Sequence, residues 1–347
     1  MTAPLISVLM PVRDGARWLG DGITSIQNQT LTDFELIVID DGSTDTSPQV
    51  IDTLSRSDRR IVAFRQERLG LVAALNRGLA ASRGQFIARL DADDIAKAQR
   101  LERQAEYLES HAEVGLVGTW ADKINEQGHV VGTLTPPSEG RELSALLDRT
   151  NPFVHSSVIM RKTVLEKVGC YRAAFAGAED YDLWLRMSET TGIANMTEYL
   201  LQYRVHPGSV SRTAQVRQLF SARLAQRAAR ARRTTGDDPT SKLLAPPDWD
   251  ASDHSDAIGA DLAKLFRLLE LTGAEGTKAK AVDISPLRER ELVLNHAERR
   301  MAQLALLNML KNKMAVEIPR PVLLWHFVRL HPLRAISLGY RALQGRI

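Results

Sequence analysis

Three features of the sequence predict an α/β fold, with a mostly parallel central sheet, helices on both of its faces and a helical C-terminal region. Short β-branched apolar runs alternate with helical periodicity over the first hundred residues, clusters of aspartate close two of those runs, and helical periodicity continues past residue 252 with no strand signal. Alternation at this spacing implies right-handed βαβ units, and in such sheets ligands bind beyond the carboxyl ends of the strands.

Taken in order, Ile6 to Val12, Phe34 to Asp40, Ile61 to Phe64 and Gln85 to Leu90 read as buried strands, being rich in β-branched residues and too short for helices. Between them Ala16 to Asn28, Asp45 to Arg56 and Gly70 to Ser82 read as helices, the last with Leu71, Leu75 and Leu79 on one face. Val114 to Thr119 and Val154 to Met160 extend the sheet. Asp180 to Glu189 forms a helix with a stripe of Tyr181, Trp184 and Leu185, and Asn195 to Val205 returns to the sheet. From Arg212 to Arg233 a helical projection puts Val216, Phe220 and Leu224 on one face, with Arg223, Arg227 and Arg230 on the adjacent stripe. Thr234 to Ser252, rich in Gly, Pro, Asp and Thr, reads as a linker. Asp261 to Leu271 and Leu287 to Lys311 have helical periodicity.

With 347 residues the chain forms two domains, or one elaborated domain with an appendage. Hydrophobic and charged fractions of 44% and 25% exclude a wholly disordered or collagen-like chain. The single Cys170, expected as a small buried thiol, excludes a disulfide framework and a cysteine zinc cluster. No apolar run reaches 18 residues and no basic, then apolar, leader opens the chain, which predicts a cytoplasmic protein without a spanning helix.

The formal net charge of +3 is unevenly spread. Seven arginines and no acid lie in His206 to Gly236, five arginines and no acid in Arg320 to Ile347, and the remainder is therefore at −9. Basic segments on an acidic body predict contact with an anionic partner. Leu323, Trp325 and Phe327 among basic residues suit peripheral attachment to the inner face of a membrane. Nucleic acid fits poorly, because the aromatic fraction is 5% and aspartates crowd the strand ends.

Those aspartates carry the chemistry. Asp40-Asp41-Gly42-Ser43-Thr44-Asp45 follows the second strand; Ser43 or Thr44 can cap the next helix, while a carboxylate there can accept from a base N3–H or a ribose hydroxyl. Asp91-Ala92-Asp93-Asp94 follows the fourth strand. Three close carboxylates repel unless a cation or solvent separates them, and oxygen ligands favour Mg²⁺ or Mn²⁺; a solvated, capped acidic turn is the rival reading. Glu179-Asp180 opens a later helix, either as an N-cap or as a carboxylate placed to take a proton from a nucleophile. His155 and His206 read as structural histidines or as ligand contacts, and Arg204 as a fork donor to a diphosphate.

In order and spacing, Pro11-Val12-Arg13-Asp14, Asp40 to Asp45, Asp91 to Asp94 and Glu179-Asp180-Tyr181-Asp182-Leu183-Trp184 resemble the family-2 glycosyltransferases of bacterial surface-polysaccharide synthesis, over about Ile6 to Ser211. The resemblance implies a GT-A fold and an inverting, metal-dependent transfer of a sugar from a nucleotide-diphosphate donor, UDP-linked or dTDP-linked. The implied acceptor is a hydroxyl of a growing glycan or a polyprenyl-diphosphate-linked oligosaccharide. It implies that Pro11, Arg13 and Asp41 line the nucleoside pocket, and that Asp91 and Asp93 form the Asp-x-Asp motif. Of these, Asp93 is the direct ligand of Mn²⁺ or Mg²⁺ and Asp91 lies nearer the ribose or donor sugar. Asp180 is the implied base, His206 a second metal contact, and Arg204, Glu179 and His155 contacts to diphosphate or donor sugar. The implied organisation is a catalytic domain over residues 1–211, with a nucleotide half to about 110 and an acceptor half from 111. A basic helix (212–233), a linker (234–252) and a helical region (253–347) follow. Two positions depart from the family pattern: Arg68 stands where Asn is common, and Ala98 where Pro is common. Alternatives are a sugar-nucleotide pyrophosphorylase, whose lysine-bearing Gly-rich loop is absent after the first strand, and a non-enzymatic protein that binds anionic surfaces through the C-terminal arginines.

Overall fold

A computed structural model describes residues 3–206, 215–248, 259, 262–263, 265–266, 294 and 296–311. In chain order the first half contains β1 (Ile6–Val12), α1 (Ala16–Gln27), β2 (Phe34–Asp41), α2 (Ser47–Ser57), β3 (Ile61–Gln66), α3 (Leu71–Ala81), β4 (Phe86–Arg89), β5 (Ile95–Ala96) and α4 (Arg100–Ser110). Then come β6 (Val114–Ile124), β7 (Val130–Leu134), α5 (Gly140–Leu147), β8 (Ile159–Arg161), α6 (Lys162–Val168), α7 (Glu179–Ser188) and β9 (Gly192–Arg204). Two further helices are α8 (Gln215–Thr235) and α9 (His296–Lys311).

β1 and β2 are buried along their whole length, as parallel strands covered on both faces must be. The sheet runs β3-β2-β1-β4-β8-β6-β9-β5, with β7 paired to β6. β3, β2, β1 and β4 are parallel; β8 enters antiparallel between β4 and β6, and β6 pairs parallel with β9. Side-chain alternation splits the core in two. Leu9, Ile37 and Ile39 pack with Val72 and Leu75 of α3 and Trp184 of α7, whereas Val8, Met10 and Val38 pack with Leu19 and Ile23 of α1 and Leu101 of α4. The carboxyl ends of β1, β2 and β4 therefore open on one edge, between these layers.

Several expectations are corrected. Val154 to Met160 is not one strand: Ser157 donates its N–H and its Oγ to the Val154 carbonyl, both at 2.8 Å, closing a 3₁₀ turn over His155–Ser157 ahead of β8. The buried face of α3 is Val72, Leu75 and Gly78, and Leu71 is exposed, because the helix turns its small residues to the sheet. Cys170 is exposed, on the turn after α6.

The apolar face of α8 packs on the body, with Phe220 and Leu224 buried in the same core as Trp184, and among the described residues three of the helix's six arginines pair with acids. Arg223 binds Glu298 at 2.5 Å, Arg232 binds both Glu189 (2.8 Å) and Asp238 (2.9 Å), and Arg233 binds Asp148 at 2.5 Å. Of the expected arginine stripe only Arg227 and Arg230 are exposed. Among the described residues no helix is long and apolar enough to cross a membrane, and the segment 320–347 lies outside them.

Candidate active site

The turns after β1 and β2 are stitched together. Asp14, held at φ +50°, accepts at Oδ1 from Thr44 N (2.7 Å) and donates its own N–H to Ser43 Oγ (2.9 Å); Ala16 N reaches Asp45 Oδ2 at 3.0 Å. The Thr44 N–H holds the Asp14 carboxyl below its usual range. Pro11 is buried beneath this pair of turns, and Arg13 is exposed beside Asp14, 3.6 Å away.

Asp41 ends β2 and organises the loop before α3. Its Oδ1 accepts from Gln66 Nε2 and Leu69 N, each at 2.8 Å, and its Oδ2 from Gly70 N at 2.9 Å. A carboxylate offers about four lone-pair sites, so one position on Oδ2 remains for a ligand donor. Gly42, at φ +71°, lets this loop close down: a Cβ there would lie 2.8 Å from Arg68 N.

Asp91, Asp93 and Asp94 follow β4, and one carboxylate oxygen from each lies within 4.8 Å of the other two. Asp91 and Asp93 are about one-third exposed, and Asp94 is buried. Asp94 accepts from Arg204 N at Oδ1 (2.7 Å), and its Oδ2 has no hydrogen-bond partner; burial first, then the charges of Asp91 and Asp93, raise its proton affinity well above the ordinary carboxylate. Burial, then Asp91, also raises that of Asp93, whose Oδ2 lies 3.0 Å from His206 Nε2. A hard oxygen pair with an imidazole at the edge suits a small divalent cation, and the two carboxylates that reach the cleft are Asp91 and Asp93. Gly22 of α1 approaches the same turn so closely that a Cβ would stand 3.0 Å from the Ala92 carbonyl oxygen.

Arg204 does not extend into the cleft. It is buried, with Nε on the Asp93 carbonyl (2.8 Å) and Nη1 on the Asn125 carbonyl (3.1 Å), so it ties the acidic turn to the β6–β7 hairpin. The Trp18 ring lies 4.6 Å from that of His206 and 5.4 Å from the Arg204 guanidinium carbon.

A second group of acids sits at the start of α7. Asp180 accepts from Tyr181 N at Oδ1 and from Asn151 Nδ2 at Oδ2, both at 2.7 Å. Burial raises its proton affinity, against the pull of the Tyr181 N–H, Asn151 and the Arg89 charge. Glu179, whose Oε2 accepts from Gly177 N at 2.7 Å, is pushed up to about 7 by burial and by the Asp180 charge. His155 meets Tyr171 Oη through Nε2 at 3.0 Å and the Trp184 ring at 5.8 Å; burial, then the Arg89 charge, keeps it neutral. Asn76 of α3 fixes Tyr171 by two hydrogen bonds to its backbone, at 2.9 and 3.1 Å.

The structure thus brings Asp91, Asp93 and His206 together after β4 and sets Glu179 and Asp180 at the start of α7, with His155 against Tyr171 and Trp184 and with Pro11, Arg13 and Asp41 at the ends of β1 and β2. Asn151 and Arg89 were missed from the sequence. Arg89 carried a signal, as the one cation in the apolar strand Phe86-Ile87-Ala88-Arg89-Leu90; Asn151, in an irregular segment, carried none.

Residues 7–169 match the family model described as "Glycosyl transferase family 2". The O-antigen biosynthesis glycosyltransferase WbnJ of Escherichia coli is 34% identical over 215 residues, covering 60% of this chain and 83% of that one. An uncharacterized glycosyltransferase of Methanocaldococcus jannaschii is 33% identical over 215 residues, covering 59% and 72%. Among solved structures, S. aureus TarS 1–349 in complex with UDP-GlcNAc matches with TM-score 0.53 at 14% identity, covering 100% of this chain and 93% of that one. The mannosyltransferase PcManGT of Pyrobaculum calidifontis, in complex with GDP-Man and Mn²⁺, matches with TM-score 0.53 at 18% identity, covering 90% and 88%. At these identities the structural likeness shows the fold.

Proposed function

The chain belongs to glycosyl transferase family 2, as a nucleotide-sugar glycosyltransferase of GT-A fold, and on that premise we propose that it transfers the sugar with inversion to a hydroxyl of a growing surface glycan or a lipid-linked oligosaccharide. The observation that carries the reading is the division of its acids into two clusters, Asp91 and Asp93, each about one-third exposed, after β4, and the buried Glu179 with the part-buried Asp180 at the start of α7. The nucleotidyltransferase and non-enzymatic alternatives fall with the family.

Asp41 accepts a ring N–H of the base through its remaining lone pair, which favours a uracil or thymine donor and disfavours cytosine, whose ring N3 carries no hydrogen. Pro11 and Arg13 border the nucleoside. Asp91 and Asp93, with His206 beside them, would hold Mn²⁺ or Mg²⁺, which neutralises charge on the departing diphosphate. Arg204 acts behind them, fixing the turn through its backbone. Asp180, its carboxylate oriented by Asn151 and Tyr181 N, takes the proton of the acceptor hydroxyl as that oxygen bonds to the anomeric carbon and the carbon–phosphate oxygen bond breaks; attack from the opposite face inverts the centre. Glu179 and His155 border the donor sugar. The catalytic unit spans about residues 1–211, and contact with an anionic membrane surface falls to Arg227, Arg230 and the segment after 320.

The reading is tested by thermal stabilisation with UDP, dTDP, GDP and CDP, with and without Mn²⁺, in the wild type and Asp93→Ala. At about 100 times its Kd a ligand stabilises by about 2.7 kcal/mol. UDP or dTDP is expected to raise the melting temperature only with metal and only with Asp93 intact; indifference to all four would overturn the nucleotide site.

A further inference from the structure

One buried cation contacts the first acid pair and lies on the sheet face against which α7, the helix of the second, is packed. Arg89 is the last residue of β4, and strand alternation sends its side chain to the face of Ile87, the face that α7 covers. It is 2% exposed. Its Nη2 binds Asp91 Oδ1, while Nε and Nη1 are buried with no hydrogen-bond partner. The charge also acts beyond that contact: Glu179, Asp180, His155 and Tyr171 all bind protons less tightly because of it. From below, Arg100 of α4 donates through Nη2 to the Arg89 carbonyl at 2.8 Å, which fixes the end of the strand.

A buried guanidinium with unmade hydrogen bonds is costly, and methionine would fill the same strand position with no such penalty. The compensating role is electrostatic and two-sided. We propose that Arg89 is a positioning residue for sugar transfer, fixing the donor-side carboxylate Asp91 by contact and facing the Glu179–Asp180 pair with a positive charge, so that one cation aligns both halves of the reaction. The proposal rests on the reading of Asp180 as the base. Arg89 touches no substrate; it acts through Asp91, and through space on Asp180. The other groups around Asp180 are Glu179 on its own helix, Asn151 from the preceding segment, and the neutral His155 and Tyr171.

The test uses the full chain with Arg89→Met and Arg89→Lys, and two readouts that need no acceptor. Affinity for UDP with Mn²⁺ reports the donor side. A difference infrared titration, each protein minus its own Asp180→Asn version, reports the pH at which the Asp180 carboxyl gains its proton. In Arg89→Met, UDP affinity is expected to fall about tenfold or more, the usual effect of losing a residue that orients a ligand. Asp180 should bind its proton about tenfold more tightly. Arg89→Lys, which keeps the charge without the planar fork, should hold the Asp180 titration at its wild-type position and still lose UDP affinity. A residue that serves only packing would lower the melting temperature of both variants and move neither readout, and that result would overturn the proposal. If Arg89→Met does not fold, Arg89→Lys decides, and wild-type UDP affinity there overturns it. Donor hydrolysis by Asp180→Asn separates this inference from its premise: an unchanged rate removes the base assignment, whereas a collapsed rate with silent Arg89 variants removes only the role of Arg89.

Discussion

The two groups of acids, one after β4 and one at the start of α7, are alike in composition and differ in their bonded partners. Asp91 and Asp93 stand about one-third exposed, one against the Arg89 guanidinium and the other against the His206 imidazole. Glu179 is buried, Asp180 is part-buried, and both accept from amide N–H groups: Gly177, Tyr181 and the Asn151 side chain. The first arrangement pairs each carboxylate with a cationic or imidazole side chain, and under the proposed reading a cation and a diphosphate are held there. The second supplies only amide donors by contact. Burial raises proton affinity in both, at Asp93 as at Glu179 and Asp180, so it is the directly bonded neighbours that differ.

The sharpest way to break the contrast is Asp180→Asn. It preserves shape and removes the proton acceptor, so turnover is expected to fall by about a thousandfold, within the range for a general base, while UDP affinity is unchanged. A rate within tenfold of wild type in a steady-state assay would move the base elsewhere. Next in size is a change far from both acid pairs. Arg223→Ala leaves the buried Glu298 carboxylate without its closest cation and should cost about 3 kcal/mol, read as a lower urea midpoint; an unchanged midpoint would show that α9 adds nothing to the stability of the body. The smallest effect sharpens the comparison. Asn151→Ala removes one donor to Asp180, worth about tenfold. Because Asp180 acts ionised and already binds protons more tightly than an ordinary aspartate, losing that donor raises its affinity again, so the acid limb of the turnover profile moves to higher pH. A limb that stays in place would assign it to another group. The neighbouring Glu179, at about 7, takes the first proton as pH falls, which leaves Asp180 ionised to lower pH.

The nucleotide half was legible because each of its strands is a short, mostly apolar run: β1 lies where the pattern puts it, and the other three parallel strands and the first three helices agree to within two residues at each end. α4 was missed because its buried face includes Arg100 and Gln104, which a hydropathy pattern counts as surface. β7 was missed because it is a five-residue edge strand with Val130 and Val131 exposed. The site was legible where chemistry and strand end coincide, at Asp41, Asp91 and Asp93. It was illegible where a neighbour comes from a distant segment, as Asn151 does to Asp180. Arg223 of the α8 stripe misled for a related reason: its partner Glu298 comes from a distant segment, while Arg227 and Arg230 of the same stripe are exposed.

α8 also grips the segment that carries Asp180, the proposed base. Ser221 Oγ donates to the Ala176 carbonyl at 2.9 Å, Gln226 Nε2 reaches Tyr181 Oη at 3.1 Å, and Arg172 joins Asp182 of α7 to Asp238 just beyond α8. For chimaera building this sets a rule of exchange. The turns after β1 and β2 are bonded to each other and to the loop before α3, so an exchange meant to alter the donor has to carry all three together. Whoever swaps the C-terminal helix to alter the acceptor trades away the mount of the proton acceptor as well, unless positions 172, 176 and 181 travel with it.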